Sequence, residues 1–249
     1  MSTAPLKTTV VVPCYNEAKR LDLAPFSAIT GDTGVEVLFV DDGSTDDTRH
    51  LLEEACDREP GRLQFLSLYK NAGKAEAVRT GMNVALAGGA EVVGYLDADG
   101  AAPPNEALRL LDVLVATGAE VVLGSRVKRL GAKIERNELR HYVGRVFATG
   151  AALALDLPVY DTQCGAKLFR ASPTLTAALR EPFTVAWVFD VELLQRLRFG
   201  VEGSPGLAVE SFVEVPLNVW TDVKGSKVKP WDAVLAAADL VRLGLRRRA

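Results

Sequence analysis

Val92-Val93-Gly94-Tyr95-Leu96-Asp97-Ala98-Asp99-Gly100 is an apolar run that ends in two carboxylates one residue apart. The valines, tyrosine and leucine predict a buried strand over 92–96. A strand that leaves a core and ends in Asp-x-Asp sets at least one carboxylate at the open edge of a sheet. Two such groups repel unless a cation lies between them or water screens them. Mg²⁺ and Mn²⁺ take oxygen ligands and often share them with a substrate's phosphates. The pattern points to a diphosphate-bearing substrate. Its rival is a plain turn before Pro103-Pro104, since Asp is common in turns. The surrounding chain decides between the two.

Other strand patterns cover 8–13, 35–40, 63–68 and 119–123, with helical patterns at 45–58 and 74–87. This alternation predicts an α/β fold, a mostly parallel sheet flanked by helices with right-handed crossovers. In open sheets of this kind, ligands bind outside the carboxyl ends of the strands. Polar clusters follow four of the strands: Tyr15/Asn16/Glu17, Asp41/Asp42, Asp97/Asp99 and Ser125/Arg126. Chance would scatter them over both ends, so their grouping marks a site. No GxGxxG follows the first strand and no GxxxxGK[ST] occurs, which argues against a dinucleotide-binding Rossmann domain and a P-loop nucleotidase. Further on, helices are expected over 139–155, 188–199 and 230–247, and strands over 163–170 and 212–220. With no repeat or linker, one domain spanning 1–249 is expected.

The chain has 249 residues, enough for a sizeable core, and a net charge of −3 that gives no reason to expect nucleic acid as a partner. Cys14, Cys56 and Cys164 are widely spaced with no CxxC, which excludes a disulfide framework or a cysteine zinc site and fits a reducing cytosol. The first residues lack the apolar region of a secretory signal, and the stretch 143–159 is broken by Arg145 and Asp156. A cytoplasmic location without a membrane span is expected.

Taken in order, Val12-Pro13-Cys14-Tyr15-Asn16-Glu17, Asp41-Asp42-Gly43-Ser44-Thr45-Asp46, Asp97-Ala98-Asp99 and Gly124-Ser125-Arg126 resemble the inverting family-2 glycosyltransferases of GT-A fold. The segments from Asp161-Thr162-Gln163-Cys164-Gly165 to Phe169, from Trp187 to Leu194, and Gly225-Ser226-Lys227 resemble the branch that glucosylates dolichyl phosphate; the corresponding mannose synthases stand next. The resemblance covers nearly the whole chain. It implies a nucleotide-sugar half over about 8–126 and an acceptor half over about 127–249.

By this resemblance Pro13, Tyr15, Glu17 and one of Asp41/Asp42 form the nucleotide pocket, and Lys74 neutralises the donor diphosphate. Ser44 or Thr45 is also expected to cap the next helix. Asp99 is implied as the ligand of Mg²⁺ or Mn²⁺, with Asp97 reaching the ribose or the metal's waters. Asp190 contacts donor sugar or acceptor, or else caps its helix. Arg126, Arg140, Gln163 and Lys227 are implied as contacts of an acceptor phosphate, for which arginine is well shaped. Gly144 stands where the mannose synthases carry a serine, so one hydroxyl contact is missing or comes from elsewhere.

The implied reaction moves glucose from UDP-glucose to a polyprenyl phosphate. A phosphate is already an anionic nucleophile and needs no general base. GDP-mannose is the alternative donor, and a small hydroxylated acceptor is the alternative acceptor, with Asp190 then as base. A nucleotidyltransferase or a non-catalytic nucleotide-sugar-binding module are remoter readings. A lipid acceptor also implies peripheral contact with a membrane surface. Candidates for that contact are 139–157 and a stripe on the last helix, Trp231, Val234, Leu235, Ala238, Val241 and Leu245, followed by three arginines; internal packing is the plainer role for the stripe.

Overall fold

The computed structural model describes residues 5–31, 33–135, 138–223 and 230–246. Strand β1 (Thr8–Cys14) is followed by a short helix α1 (Ala24–Ala28), then β2 (Val35–Asp41), α2 (Thr48–Arg58), β3 (Leu63–Ser67), α3 (Lys74–Ala87) and β4 (Val92–Leu96). Next come α4 (Asn105–Thr117), β5 (Val121–Ser125), β6 (Lys133–Glu135), α5 (Glu138–Leu155), β7 (Ala166–Arg170), α6 (Pro173–Arg180) and α7 (Phe189–Phe199). The remainder is a small hairpin, β8 (Gly200–Val201) and β9 (Ser204–Pro205), then β10 (Phe212–Pro216), β11 (Val219–Thr221) and α8 (Pro230–Arg246).

Seven strands form one sheet in the order β10-β5-β7-β4-β1-β2-β3. All its pairings are parallel except those of β7, which runs antiparallel between β4 and β5. Both faces are covered, so β1 reads as a continuous β-branched run rather than an alternating one. Val10 and Val12 join Phe39, Leu52 and Leu110 in one core layer. Val11 joins Met82, Tyr95, Phe169 and Leu194 in the layer on the other face. Helix α3 lies close on that second face: a Cβ on Gly81 would fall 2.5 Å from a Val11 methyl.

The sequence-derived bounds of α3 and β4 match the observed ones, and several others do not. Helix α2 begins at Thr48, because Ser44 and Thr45 are used elsewhere: Ser44 Oγ accepts the Asn16 amide (3.0 Å), and the Thr45 amide donates to Asn16 Oδ1 (2.8 Å). Neither residue caps a helix. The strand expected from residue 163 begins at Ala166, after a turn in which Asp161 Oδ1 accepts the Gln163 amide (3.2 Å). The run expected over 212–220 breaks at Leu217-Asn218. Glu106 Oε1 accepts the Asn218 and Val219 amides there (2.8 and 3.0 Å), and β11 continues in a separate pair with β6.

On α8 the inward residues are Leu243, 1% exposed, with Ala236 and Leu240 packed beside it. Leu235 and Val241 of the expected stripe are 46% and 63% exposed. The side chains of Trp231, Val234 and Leu245 lie outside the described residues; among the described ones the packed face is rotated from the one expected. Among the described residues no helix is long and apolar enough to cross a membrane.

Candidate active site

Because β7 is antiparallel to its neighbours, its start lies where β4 and β5 end. Leu96 pairs with Ala166, and the Asp97 amide continues the ladder by donating to the Gly165 carbonyl (3.1 Å). The Asp97-Ala98-Asp99, Gly124-Ser125-Arg126 and Asp161–Gly165 segments therefore meet on one rim. Gly165 is needed for the approach: a Cβ there would lie 2.1 Å from Asp97 Oδ2.

Lys74, the first residue of α3, places Nζ 2.5 Å from Asp97 Oδ1 and 6.0 Å from the Phe189 ring centroid. Burial opposes its charge, but the carboxylates of Asp97, Asp190 and Asp99 outweigh it and hold the ammonium above its usual pKa. Asp99 lines a cleft with Arg20, Phe26 and Pro103, and its Oδ1 accepts the Ala101 amide (3.0 Å). Burial, then the neighbouring Asp97 charge, push the Asp99 carboxyl up. The Arg20 and Lys74 charges oppose that push without cancelling it. Among the described residues no three His, Cys, Asp or Glu side chains gather as a metal cage. Two carboxylates at a rim fit Mg²⁺ or Mn²⁺ that takes its other oxygens from a diphosphate and water.

The part of the rim expected to take the nucleotide is stitched from the loops after β1 and β2. Asn16 adopts a φ of 52° while its amide and side chain bind Ser44 and Thr45. Thr48 Oγ1 accepts the amides of Glu17 (2.7 Å) and Ala18 (2.9 Å). Glu17 is buried and paired with Arg20, whose Nη2 lies 2.7 Å from Oε1. Pro13 and Tyr15 are half-buried on the same rim. Asp41 accepts from the Ser44 amide (3.0 Å) and Ser67 Oγ (3.2 Å). Asp42 accepts the amides of Ala72 (2.7 Å) and Gly73 (2.8 Å), so it anchors the turn that delivers Lys74. Burial pushes the Asp42 carboxyl up despite those two bonds.

At the end of β5, the Arg126 guanidinium forms a bidentate pair with Asp161 (2.6 and 2.8 Å) and sits 5.4 Å from the Trp220 ring centroid. Asp161 is itself positioned by Glu214, which accepts the Tyr160 and Asp161 amides. Near this pair, Ser125 Oγ, Thr162 Oγ1 and Gln163 Nε2 are buried without a hydrogen-bond partner among the described residues. Such atoms hold unspent capacity for a ligand or water. Lys227 and the Arg140 side chain lie outside the described residues.

Asp190 sits in the first turn of α7 and does not cap it; Val188 is at that position. Its Oδ1 receives Lys167 Nζ at 2.6 Å and the Tyr95 hydroxyl. Sequence reasoning passed over three members of this arrangement: Lys167, Tyr95 and Asp161 as the partner of Arg126. Arg20 was also missed, although its i,i+3 spacing from Glu17 was a usable signal.

Residues 9–175 match the family model described as Glycosyl transferase family 2. The dolichyl-phosphate beta-glucosyltransferase of Saccharomyces cerevisiae is 31% identical over 261 residues, covering 94% of this chain and 72% of that protein. The polyprenol monophosphomannose synthase of Mycolicibacterium smegmatis is 29% identical, over 76% of this chain and 71% of that one. Among solved structures, glucosyl-3-phosphoglycerate synthase from Mycobacterium tuberculosis, in complex with Mn²⁺, UDP-glucose and phosphoglyceric acid, aligns with a TM-score of 0.66. It shares 19% identity and covers 97% of this chain and 79% of that one, a likeness of fold. With the motif order already laid out along the rim, these matches give the conclusion that the chain belongs to glycosyl transferase family 2 and is a glycosyltransferase of GT-A fold.

Proposed function

We propose that this enzyme moves glucose from UDP-glucose to a polyprenyl, dolichyl-type phosphate with inversion at the anomeric carbon. The observation that carries the reading is the rim itself: a carboxylate pair at the end of β4 with Lys74 beside it for a diphosphate, and Arg126 at the end of β5, across β7, for a second phosphate. The glucose donor and lipid phosphate are supported by the relatives' names, a beta-glucosyltransferase and a polyprenol enzyme at about the same similarity.

In this reading Pro13, Tyr15, Glu17 and Asp41/Asp42 line the nucleotide. Asp97 and Asp99 hold Mg²⁺ or Mn²⁺, which when bound neutralises charge on the departing diphosphate. Lys74 adds a fixed ammonium at the same end. Arg126, with Gln163, Arg140 and Lys227, orients the acceptor phosphate; a substrate phosphate then competes with Asp161 for the guanidinium. An acceptor phosphate oxygen attacks the anomeric carbon as the bond to the UDP β-phosphate oxygen breaks. No proton changes hands. The Lys167 and Tyr95 contacts on Asp190 favour this over a hydroxyl acceptor, since one Asp190 oxygen is already occupied by an ammonium and a phenol.

The test incubates purified protein and Mn²⁺ or Mg²⁺ with UDP-glucose or GDP-mannose, with and without a short polyprenyl phosphate. UDP release that requires the lipid phosphate, and drops about 100-fold or more in Asp99→Ala, is the expected result. GDP release alone would move the donor to GDP-mannose. Donor turnover indifferent to every lipid phosphate would refute the acceptor.

A further inference from the structure

Lys167 is a lysine whose side chain has no exposure at all, set in β7 at the middle of the sheet. Its Nζ lies 2.6 Å from Asp190 Oδ1, donates to the Cys164 carbonyl and sits 5.2 Å from the Tyr95 ring centroid. Tyr95 is equally buried and gives its hydroxyl to the same Asp190 oxygen. Burial first, and the Asp190 charge next, push the Tyr95 phenol well above its usual range, so it remains a donor.

Removing both charges of such a pair from water commonly costs more than their attraction returns, and an apolar pair of similar shape is often as stable. Stability alone is a weak reason for Lys167. Its location supplies a better one. Asp190 follows Phe189, whose ring is 6.0 Å from Lys74 Nζ, and Asp190 is one of the carboxylates that keep Lys74 charged. Charges therefore alternate from Lys167 through Asp190 and Lys74 to Asp97. Three elements meet at Asp190: β7, β4 and α7.

We propose that Lys167 is a positioning residue for glycosyl transfer, holding the Asp190 carboxylate, with the help of Tyr95, at the donor-diphosphate end of the site beside Lys74. The proposal rests on the reading of Asp97, Lys74 and Asp190 as parts of a transferase site. Among the described residues Lys167 of β7 and Tyr95 of β4 contact the Asp190 carboxylate directly, and Lys74 of α3, paired with Asp97, feels the charges of Asp190 and Asp99 as well. On its own helix, Glu192 is paired with Arg196 at 2.7 Å.

The experiment compares Lys167→Met, Asp190→Asn and the double variant in the full-length protein, with UDP-glucose, a short polyprenyl phosphate and Mn²⁺. Each single variant is expected to lower kcat by about 10- to 100-fold with donor KM nearly unchanged, and the double variant to be no worse than Asp190→Asn. The acid limb of the kcat–pH profile of Lys167→Met lies at higher pH than that of the wild type and the double variant, because a buried carboxylate without its cation takes up a proton more readily. Losses that multiply, or an unchanged profile in folded Lys167→Met, would overturn the proposal. Should Lys167→Met not fold, the double variant, which leaves no uncompensated charge, is compared with Asp190→Asn alone; a further loss beyond about 10-fold overturns it.

If the wild type transfers nothing, the functional reading fails and the positioning is read from thermal unfolding. The raised carboxyl of Asp190 in Lys167→Met binds a proton more readily folded than unfolded. Its destabilisation is therefore relieved as pH falls toward the unfolded carboxyl pKa of about 4, and the double variant lacks that gain. Equal pH slopes in the two variants would refute the pairing role.

Discussion

Asp97 and Gly165 make one steric unit at the end of β4. The Asp97 carboxylate lies where a Gly165 side chain would begin, with Oδ2 2.1 Å from the position of a Cβ. Gly165→Ala is expected to displace that carboxylate and cut transfer by about 100-fold, while overpacking costs about 1–3 kcal/mol of stability. Nucleoside diphosphate release and urea unfolding on the same preparation check both halves. Asp42 makes a second residue-scale prediction. Its carboxyl is pushed up by burial, so the folded state holds a proton at pH values where the unfolded chain has lost it. Stability carried this way is present below the unfolded pKa of about 4 and is lost as pH rises through the higher folded value. Asp42→Asn should flatten that part of the stability–pH curve, as followed by Tm across the acid range. The roles of single residues were unevenly legible. Asp97 and Asp99 stand out as a motif because two adjacent carboxylates at a strand end need a reason. Lys167 gave no such signal, since a lysine is solvated by default and only its placement between β4 and β5 buries it.

Elements were legible where local patterns agreed with packing. Helix α3 runs from Lys74 to Ala87 because glycines at 73 and 88 bracket an alanine-rich helical stretch, and β4 from Val92 to Leu96 because a short apolar run lies between Glu91 and Asp97. Helix α6 was overlooked, although Ser172 and Pro173 open it in standard fashion: Ser172 Oγ accepts the Leu175 amide at 3.2 Å. Ser172→Ala should cost about 1 kcal/mol in urea unfolding and leave transfer kinetics unchanged. A kinetic change would mean that α6 shapes the site through α7, against which it packs. Helix α8 shows the opposite failure. The stripe read from its sequence is not the face that packs, and neighbouring helices select the face carrying Leu240 and Leu243: a Cβ on Gly150 of α5 would fall 3.0 Å from a Leu240 methyl, and Gln195 of α7 donates to the Leu243 carbonyl (3.0 Å).

At the scale of the molecule, the late strand β10 closes the sheet against β5, from Phe212 opposite Val121 to Pro216 opposite Ser125. A chain ending before residue 207 would lose that partner together with α8, leaving the β5 ladder open and the second core layer uncovered. Such a truncation is expected to be aggregated or expanded on size-exclusion chromatography and to lose UDP binding. A monomeric fragment that still binds UDP would contradict this account of the sheet. The sequence by itself determined the α/β class, the carboxyl-end location of the candidate residues and the acidic motif, because strand periodicity, turn chemistry and paired carboxylates are local properties. Only the tertiary structure decided that β7 enters the sheet reversed between β4 and β5, bringing Gly165 onto Asp97 and burying Lys167 under Tyr95 against Asp190. Strand order and direction depend on contacts between residues far apart in the chain. A lysine, a glycine or a tyrosine acquires such a role only when those contacts form.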